Sequence, residues 1–82
     1  MPEGRASVEG LSKRGSKFQF LFTVPPEGRS AIRQGSSILV DGMKVLIKDC
    51  DGEYASFEFE LSEVIGSPLA PLEVGSEIIV SW

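Results

Sequence analysis

The sequence predicts an all-β domain, a small antiparallel β-barrel of about six short strands with one or two short helical turns. Three observations lead to this prediction. Short apolar segments recur along the chain, separated by turn residues roughly every 8–12 positions. Nine glycines and five prolines in 82 residues provide many turns and leave little room for helices. The dipeptide Asp41-Gly42 lies between two arms rich in Ile, Val and Leu, which is the strongest short-range signal of a β-hairpin.

The chain before this hairpin contains two predicted strands. Residues 1–5 are polar and turn-prone, and we expect a loose lead-in there. Residues 6–11 alternate weakly and predict a short first strand, and residues 12–17 form a basic turn. Residues 18–24 predict a second strand. One face of it carries aromatic side chains that would form a wall of the core, namely Phe18, Phe20 and Phe22.

The middle of the chain is organised around the hairpin at residues 35–49. Its two apolar arms indicate a pair of strands in the centre of a sheet and not at its edge. Before the hairpin, Pro25 and Pro26 would end the preceding strand, because neither can donate a hydrogen bond to a neighbour. Residues 27–34 then have room for one helical turn, with Ser30 as its N-cap.

The last part of the chain predicts two more strands. An Asp-Gly dipeptide at residues 51–52 again favours a primed turn, and residues 54–61 alternate as a half-buried strand. Residues 62–66 predict a short helical turn capped by Ser62. Residues 77–82 predict the final strand, so that residues 1–82 form one small domain.

Composition excludes several classes of function. The net charge of −4 argues against general nucleic-acid binding, which needs a basic face. Cys50 is the only cysteine and the chain has no histidine, so we expect neither a disulfide, nor a metal site, nor histidine-based catalysis. The sequence contains no long apolar run and no signal peptide, which predicts a cytoplasmic protein with no membrane partner.

Two patterns could indicate chemistry, and both are better explained by structure. The aromatic face of residues 18–22 could stack on nucleic-acid bases, but no basic residues are interleaved with it, so a core wall is favoured. Glu58 and Glu60 have the spacing of a carboxylate pair. On an alternating strand, that spacing is typical of a solvated face.

The order of the motifs carries a family resemblance. A Gly-x-Ser-Ile-x-Val-Asp-Gly hairpin at residues 35–42 is followed by a Phe-x-Phe strand at 57–59 and a Leu-x-x-Leu-x-x-Gly segment at 69–75. This order resembles one lumazine-binding module of the riboflavin synthase family, with a likeness that extends from Gly4 to the C-terminus. The resemblance implies a six-stranded Greek-key β-barrel with short helical turns at its ends.

The departures from the family pattern bear on function. Where the family has Cys-Leu-Thr after the hairpin turn, this chain has Lys44, Val45 and Leu46, so the thiol and the hydroxyl are both replaced. Riboflavin synthases also carry two modules in each chain and form the reaction site between subunits. We therefore predict a module that is not an enzyme.

The resemblance also implies a ligand and its site. The ligand would be riboflavin, FMN or a lumazine, bound at one end of the barrel. The backbone amides around residues 66–67 would contact the pyrimidine edge of its ring. The walls of the site would be residues 43–46 of the hairpin and residues 60–67. Within these ranges, the residues that the resemblance places around the ligand are Lys44, Leu46, Glu60, Ser62, Glu63, Gly66 and Ser67.

A weaker likeness is to PilZ-type barrels, which bind cyclic di-GMP. Arg29 and Arg33 have the spacing of the R-x-x-x-R phosphate clamp of those domains. The second PilZ signature would fall on residues 49–54 and matches poorly there. A pair of exposed arginines in a turn is therefore the favoured interpretation.

Two functions remain open and a third ranks well behind them. The domain is either a binding module for a small heteroaromatic ligand, or an accessory interaction barrel that binds a protein partner or a second copy of itself. The third hypothesis, an enzyme completed by another chain, lacks a recognisable group of catalytic residues.

Overall fold

The computed structural model describes residues 2–82, which form one antiparallel sheet of seven strands with the order β4-β3-β7-β1-β2-β6-β5. The strands are β1 (Glu3–Arg14), β2 (Lys17–Thr23), β3 (Ser37–Val40), β4 (Met43–Leu46), β5 (Asp49–Cys50), β6 (Tyr54–Glu60) and β7 (Glu77–Ser81). A 3-10 turn spans Pro26–Gly28, and the helix α1 spans Leu61–Val64. The all-β and antiparallel predictions are confirmed. The six-strand count is not confirmed, because β5 adds a seventh strand.

Strand β1 is longer than the predicted first strand and connects the two halves of the sheet. Its first residues pair with β7, and its last residues pair with β2, with a register shift between Val8 and Gly10. The predicted loose lead-in is therefore wrong from Glu3 onwards, since Arg5 pairs with Ile79. Because these residues are polar, their pairing with an apolar partner strand left no signal in the local sequence.

The hairpin of β3 and β4 forms as predicted. Its central residues, Asp41 and Gly42, have φ angles of 50° and 85°, as a type I′ turn requires. Its predicted position is wrong, because β4 stands at one end of the strand order. The apolar arms reflect burial of one face, at Ile38 and Val45 among others. Strand β3 pairs along both edges, with β4 and β7, whereas within residues 2–82 strand β4 pairs with β3 alone.

The sheet curls so that its two ends lie side by side. Strands β4 and β5 stand at opposite ends of the strand order, yet only Ile47 and Lys48 separate them in the chain. The N–H of Ile47 donates to the carbonyl of Ser36 beside β3 (2.8 Å), and the N–H of Lys48 donates to the carbonyl of Ser56 in β6 (2.8 Å). The curled sheet is barrel-like, but within residues 2–82 no strand pairing joins β4 to β6, so the ring of hydrogen bonds is not closed.

The core lies inside this curl and is rich in phenylalanine. Phe20 and Phe57 stack with ring centroids 5.2 Å apart, and Phe22 lies 5.7 Å from the ring of Phe57. These three side chains are buried, and Phe18 and Phe59 are partly buried beside them. The aromatic side chains predicted to share one face of β2 therefore form the wall of the core.

Two predicted helix starts are wrong by a few residues. The 3-10 turn begins at Pro26 and not at Ser30, since a proline suits the first helical position, where no N–H is needed. Helix α1 begins at Leu61, so Ser62 lies inside it and caps nothing. No helix among residues 2–82 is long and apolar enough to cross a membrane.

The turn between β5 and β6 also differs from its prediction. Gly52 has a φ angle of 98°, but Asp51 does not adopt the positive φ that a type I′ turn needs. The Asp51 side chain instead accepts hydrogen bonds from the N–H groups of Tyr54 (2.8 Å) and Glu53 (2.9 Å). These bonds lower the pKa of the Asp51 carboxyl and close the turn.

Candidate functional site

The candidate site is the place where the curled sheet fails to close. We call it the seam, the gap between residues 44–46 of β4 and residues 58–60 of β6. Along a strand, the backbone N–H and C=O groups of successive residues point alternately to opposite sides. The backbone N–H of Ile47 donates a hydrogen bond towards β3, and the backbone groups of Val45, two residues earlier, point the same way. The backbone groups of Lys44 and Leu46 therefore point to the other side, into the seam.

The same alternation shows which backbone groups of β6 face the seam from its other side. The carbonyl of Ser56 accepts from Lys48, so the backbone groups of Glu58 and Glu60 also face the seam. Phe57 and Phe59 bond in the other direction, towards β2. The bond between Lys48 and Ser56 is therefore the last rung before the strands separate. Beyond it, the described part of the chain shows no backbone bond between β4 and β6.

A cavity of about 370 Å³ occupies the seam. This volume is within the range of about 300–1,000 Å³ that is usual for small-molecule sites. Apolar side chains from both strands form its walls, and charged side chains surround them. Its lining consists of Lys17, Ser37, Lys44, Val45, Leu46, Glu58, Phe59, Glu60 and Glu63.

Two carboxylates of the lining are held by lysines. The Lys17 ammonium lies 4.0 Å from a carboxylate oxygen of Glu60, whose other oxygen accepts a hydrogen bond from Ser16 Oγ (3.1 Å). Lys48 pairs with Glu58, and this hydrogen bond lowers the pKa of the Glu58 carboxyl. Because exposed ion pairs contribute little to stability, their main effect here is to fix where the carboxylates lie.

The structure brings four of the predicted ligand residues together. Lys44, Leu46, Glu60 and Glu63 all line the seam cavity. Ser62 is exposed on α1 and is not part of the lining.

The remaining predicted contacts lie in the turn that follows α1. The N–H of Ser67 donates to the carbonyl of Val64 (3.0 Å), and the Ser67 hydroxyl donates to the same carbonyl (2.6 Å). Gly66 has a φ angle of 81° and provides the bend of this turn. The Ser67 amide that was expected to contact a ligand is therefore already bonded within the turn.

Sequence reasoning missed Lys17, Ser37, Glu58 and Phe59 as lining residues, whereas Val45 lies within the expected wall at residues 43–46. Strand register explains two of the missed residues. Lys17 pairs with Glu60 across β2 and β6. Ser37 pairs in the same way with Leu46 across β3 and β4. A hairpin register fixed by the turn could have identified Ser37, but the pairing of β2 with β6 joins segments far apart in sequence.

The two arginines of the proposed phosphate clamp lie in different surroundings. Arg33 donates from Nε and Nη2 to the carbonyl of Ser30, at 3.0 and 2.8 Å, so its guanidinium is used within its own turn. Arg29 lines a separate cleft that it shares with Arg5 and Tyr54.

A smaller apolar cleft of about 170 Å³ lies between α1 and the sheet. Its lining is almost entirely hydrophobic, and Ile65 at its rim is 68% exposed. The lining residues are Leu11, Phe18, Phe20, Leu61, Val64, Ile65, Leu69, Ala70 and Leu72.

Comparison with known proteins identifies the fold. No protein-family model and no curated protein matches the sequence. Three solved structures of LumP superpose with a TM-score of 0.84 over 95% of this chain, at 20% sequence identity. They are LumP complexed with riboflavin, with flavin mononucleotide and with 6,7-dimethyl-8-(1'-D-ribityl) lumazine.

This likeness confirms, for the fold, the resemblance to a lumazine-binding barrel module that the sequence predicted. The matched region is 42% of the LumP chain in the riboflavin complex and 44% in the other two. The chain therefore spans less than half the length of LumP.

Proposed function

Because this chain has the fold of LumP, we propose that it is a non-catalytic module that binds a flavin- or lumazine-type ring in the seam. One observation carries the proposal. A cavity of about 370 Å³ lies where the next rungs of the β4–β6 ladder would be, between two strand edges with unpaired backbone groups.

The chemistry of the seam suits such a ring. The pyrimidine edge of flavins and lumazines alternates carbonyl oxygens with a ring N–H. The backbone groups of Lys44, Leu46, Glu58 and Glu60 offer complementary donors and acceptors, as an adjacent strand would. Leu46 and Phe59 supply apolar surface for the faces of the ring. A few polar groups that fix orientation within apolar walls are typical of ligand sites.

The absence of catalysis is the second part of the proposal. Lys44 and Leu46 replace the family's thiol and hydroxyl at the seam. Cys50 lies outside the seam lining and donates from Sγ to the carbonyl of Ile32 (3.3 Å). Apart from lysines and carboxylates, the seam lining has only the Ser37 hydroxyl, and within the described residues this hydroxyl makes no hydrogen bond to a base.

A fluorescence titration with riboflavin and with 6,7-dimethyl-8-ribityllumazine tests the proposal. We expect saturable binding, with amide chemical-shift changes concentrated at residues 44–46 and 58–60. Leu46→Glu places a charge on the apolar wall and should weaken binding at least about tenfold. Val74→Glu is the matched control, because Val74 is 61% exposed, similar to the 63% of Leu46, and lies outside the seam lining.

Two results would contradict the proposal. One is no response up to about 1 mM ligand, where the binding free energy is only about −4 kcal/mol. The other is equal weakening by Leu46→Glu and Val74→Glu, which would mean that the ligand does not occupy the seam.

The second candidate function is an interaction barrel, and the apolar cleft beside α1 favours it. An exposed apolar patch with a polar rim is typical of protein contact surfaces. Sedimentation velocity of the purified domain tests for self-association. If a dimer forms through this cleft, Ile65→Glu should shift it to monomer, and Val74→Glu should not.

A further inference from the structure

We propose that the apolar cleft beside α1 binds a linear aliphatic carboxylate, with the hydrocarbon chain in the cleft and the carboxylate paired with the Lys13 ammonium at its mouth. This second site is separate from the seam, so it goes beyond the proposed binding of a ring and does not depend on it. Three features support the site: the size and composition of the cleft, the position of Lys13, and the charges around both.

The cleft is apolar throughout and small. All nine lining residues are hydrophobic, so the lining offers no polar side chain to the edge of a heteroaromatic ring. Phe20, Val64 and Leu69 are at most 5% exposed and lie deepest in it. Its volume of about 170 Å³ is below the range of about 300–1,000 Å³ that is usual for drug-sized ligands. A single unbranched hydrocarbon chain fits this space better than a ring system with polar edges.

Strand register places Lys13 beside the cleft. Lys13 pairs with Phe18 across β1 and β2. Leu11, two residues earlier, pairs with Phe20. Cross-strand partners share a face of the sheet, and so do residues two apart on one strand. The three apolar residues of this group line the cleft, so the Lys13 side chain borders it, and its long flexible stem lets the ammonium meet a carboxylate at the mouth.

Lys13 is the basic residue of this hairpin that remains available on the cleft side. Among residues 2–82, its ammonium makes no hydrogen bond or ion pair. The other two basic residues near the hairpin tip, Arg14 and Lys17, pair with each other in the ladder, so their side chains lie on the opposite face. Lys17 lies 4.0 Å from Glu60 there, on the side of the seam.

The neighbouring carboxylates leave the Lys13 end of the cleft free. Glu63 of α1 lines the seam cavity and not the cleft. Glu9 and Glu73 lie towards the other end, where the loop before β7 donates a backbone hydrogen bond to the carbonyl of Val8 (2.7 Å). Val8 and Lys13 are five residues apart, which is up to about 16 Å along an extended strand. A ligand whose carboxylate lies beside Lys13 therefore keeps its charge away from these two glutamates.

The exposed part of the cleft is small for a stable protein contact. Of the large hydrophobic residues that line it, only Leu11 and Ile65 are exposed, at 37% and 68%. A specific protein interface buries about 800 Å² on each partner, which is far more than two side chains supply. A small amphiphile needs only a concave apolar surface and one charge partner. These observations favour it over a second copy of the chain.

Parallel titrations with octanoate and octylammonium, followed by amide chemical shifts, test the proposal. The two compounds have the same hydrocarbon chain and opposite charges. We expect octanoate to bind with a dissociation constant of about 1 mM, about tenfold more tightly than octylammonium, because Lys13 attracts one head group and repels the other. The shifts should be concentrated at residues 11, 18 and 65, and residues 44–46 of the seam should not respond.

Four variants separate the contact with Lys13 from net charge. Lys13→Gln should bring the two dissociation constants to within about twofold of each other, and Lys13→Glu should reverse the preference. Arg29→Gln changes the net charge as Lys13→Gln does, but Arg29 lines a separate cleft, so the ratio should stay as in the parent chain. Ile65→Glu places a carboxylate at the rim and should weaken octanoate binding. All three positions are exposed, so these variants should remain folded.

Several results would overturn the proposal. They are no shift up to about 10 mM octanoate, equal binding of the two compounds, and a ratio that Lys13→Gln leaves unchanged. A dimer that Ile65→Glu dissociates and octanoate does not would assign the cleft to a second copy and overturn it as well. A riboflavin titration of the same samples reports on the seam alone, so the failure of either site can be told from the failure of the other.

Discussion

Asp41 has two structural roles, one in the turn of the β3–β4 hairpin and one in the contact of that hairpin with β7. It adopts a φ angle of 50°, which the type I′ turn requires and which Asp tolerates better than most residues. Its N–H donates to the carbonyl of Ile79, and its Oδ1 accepts from the N–H of Ile79, both at 2.8 Å. One residue therefore closes the β3–β4 hairpin and ties it to β7. The hairpin was predictable from the Asp-Gly dipeptide, but the bond to β7 was not, because Ile79 is distant in sequence.

Asp41→Ala should lower the free energy of unfolding by about 1–3 kcal/mol. The substitution removes a hydrogen bond and places a residue with a larger left-handed penalty in the turn. Asp41→Asn is the control, since asparagine keeps the acceptor oxygen and tolerates the same conformation, and it should stay within about 0.5 kcal/mol. Urea unfolding curves measure both values. Equal losses in the two variants would mean that the aspartate charge, and not its geometry, matters.

The Glu58–Lys48 ion pair makes one contribution to the free energy of unfolding that depends on pH. The pKa of Glu58 lies below its ordinary value of 4.5, chiefly because of the hydrogen bond from Lys48. A carboxyl whose folded-state pKa is depressed stabilises the fold fully above its unfolded pKa. That contribution is lost as the pH falls through the folded pKa.

We therefore expect Glu58→Gln to reduce slightly the loss of unfolding free energy between about pH 5 and pH 3, since an exposed ion pair contributes little to stability. Lys48→Met should flatten it in the same way, and the double variant should resemble either single variant. Urea unfolding across this pH range provides the comparison. A Glu58→Gln profile parallel to that of the parent chain would show that other carboxyl groups account for the acid sensitivity.

Strands β2 and β6 show what a local pattern predicts at the level of an element. Their two-residue alternation identified the inward faces, which form the aromatic core. The same rule missed the true extent of β1, because its polar residues at positions 3–5 and 12–14 pair without being buried. Local periodicity detects burial, and a strand that is paired but exposed gives little signal.

Phe57 is the element-level test of this core. Its ring lies within 5.2–5.7 Å of the rings of Phe20, Phe22 and Phe59. Phe57→Ala should cost about 3–5 kcal/mol. Since the whole stability of a small domain is about 5–15 kcal/mol, this variant should be largely unfolded or close to it.

Two control variants test whether the loss of stability in Phe57→Ala comes from the lost buried volume at this position. Phe57→Leu keeps most of the buried volume and should cost about 1.5 kcal/mol or less. Leu46→Ala changes an exposed residue and should stay within about 0.5 kcal/mol. Far-ultraviolet circular dichroism with urea titration measures all three variants. A folded Phe57→Ala with near-parental stability would contradict the described core.

The seam is a property of the whole molecule, and this explains why the sequence predicted it only in part. Lys44, Leu46, Glu60 and Glu63 were expected near a ligand from the family resemblance, and they do line one cavity. The opening itself depends on where β4 and β6 separate after the Lys48–Ser56 rung. Because that separation follows from the curl of the entire sheet, no short stretch of sequence predicts the gap between β4 and β6.

Hydrogen exchange of the backbone amides provides a direct test of the open seam. The N–H groups of Leu46 and Glu58 face the gap without a strand partner, whereas those of Val45 and Phe57 bond to β3 and β2. In the free domain, the seam amides should therefore exchange at least about a hundredfold faster than their neighbours in sequence.

Lys48 is the internal control, because its N–H donates to Ser56 across the same two edges and should be protected. Saturation with riboflavin should slow exchange at Leu46 and Glu58 while leaving Val45 and Phe57 unchanged. If Leu46 and Glu58 are as protected as Val45 and Phe57 without any ligand, the ladder is closed in solution. The seam would then have no unpaired edge for a ring to bind, and the ligand proposal would lose its structural basis.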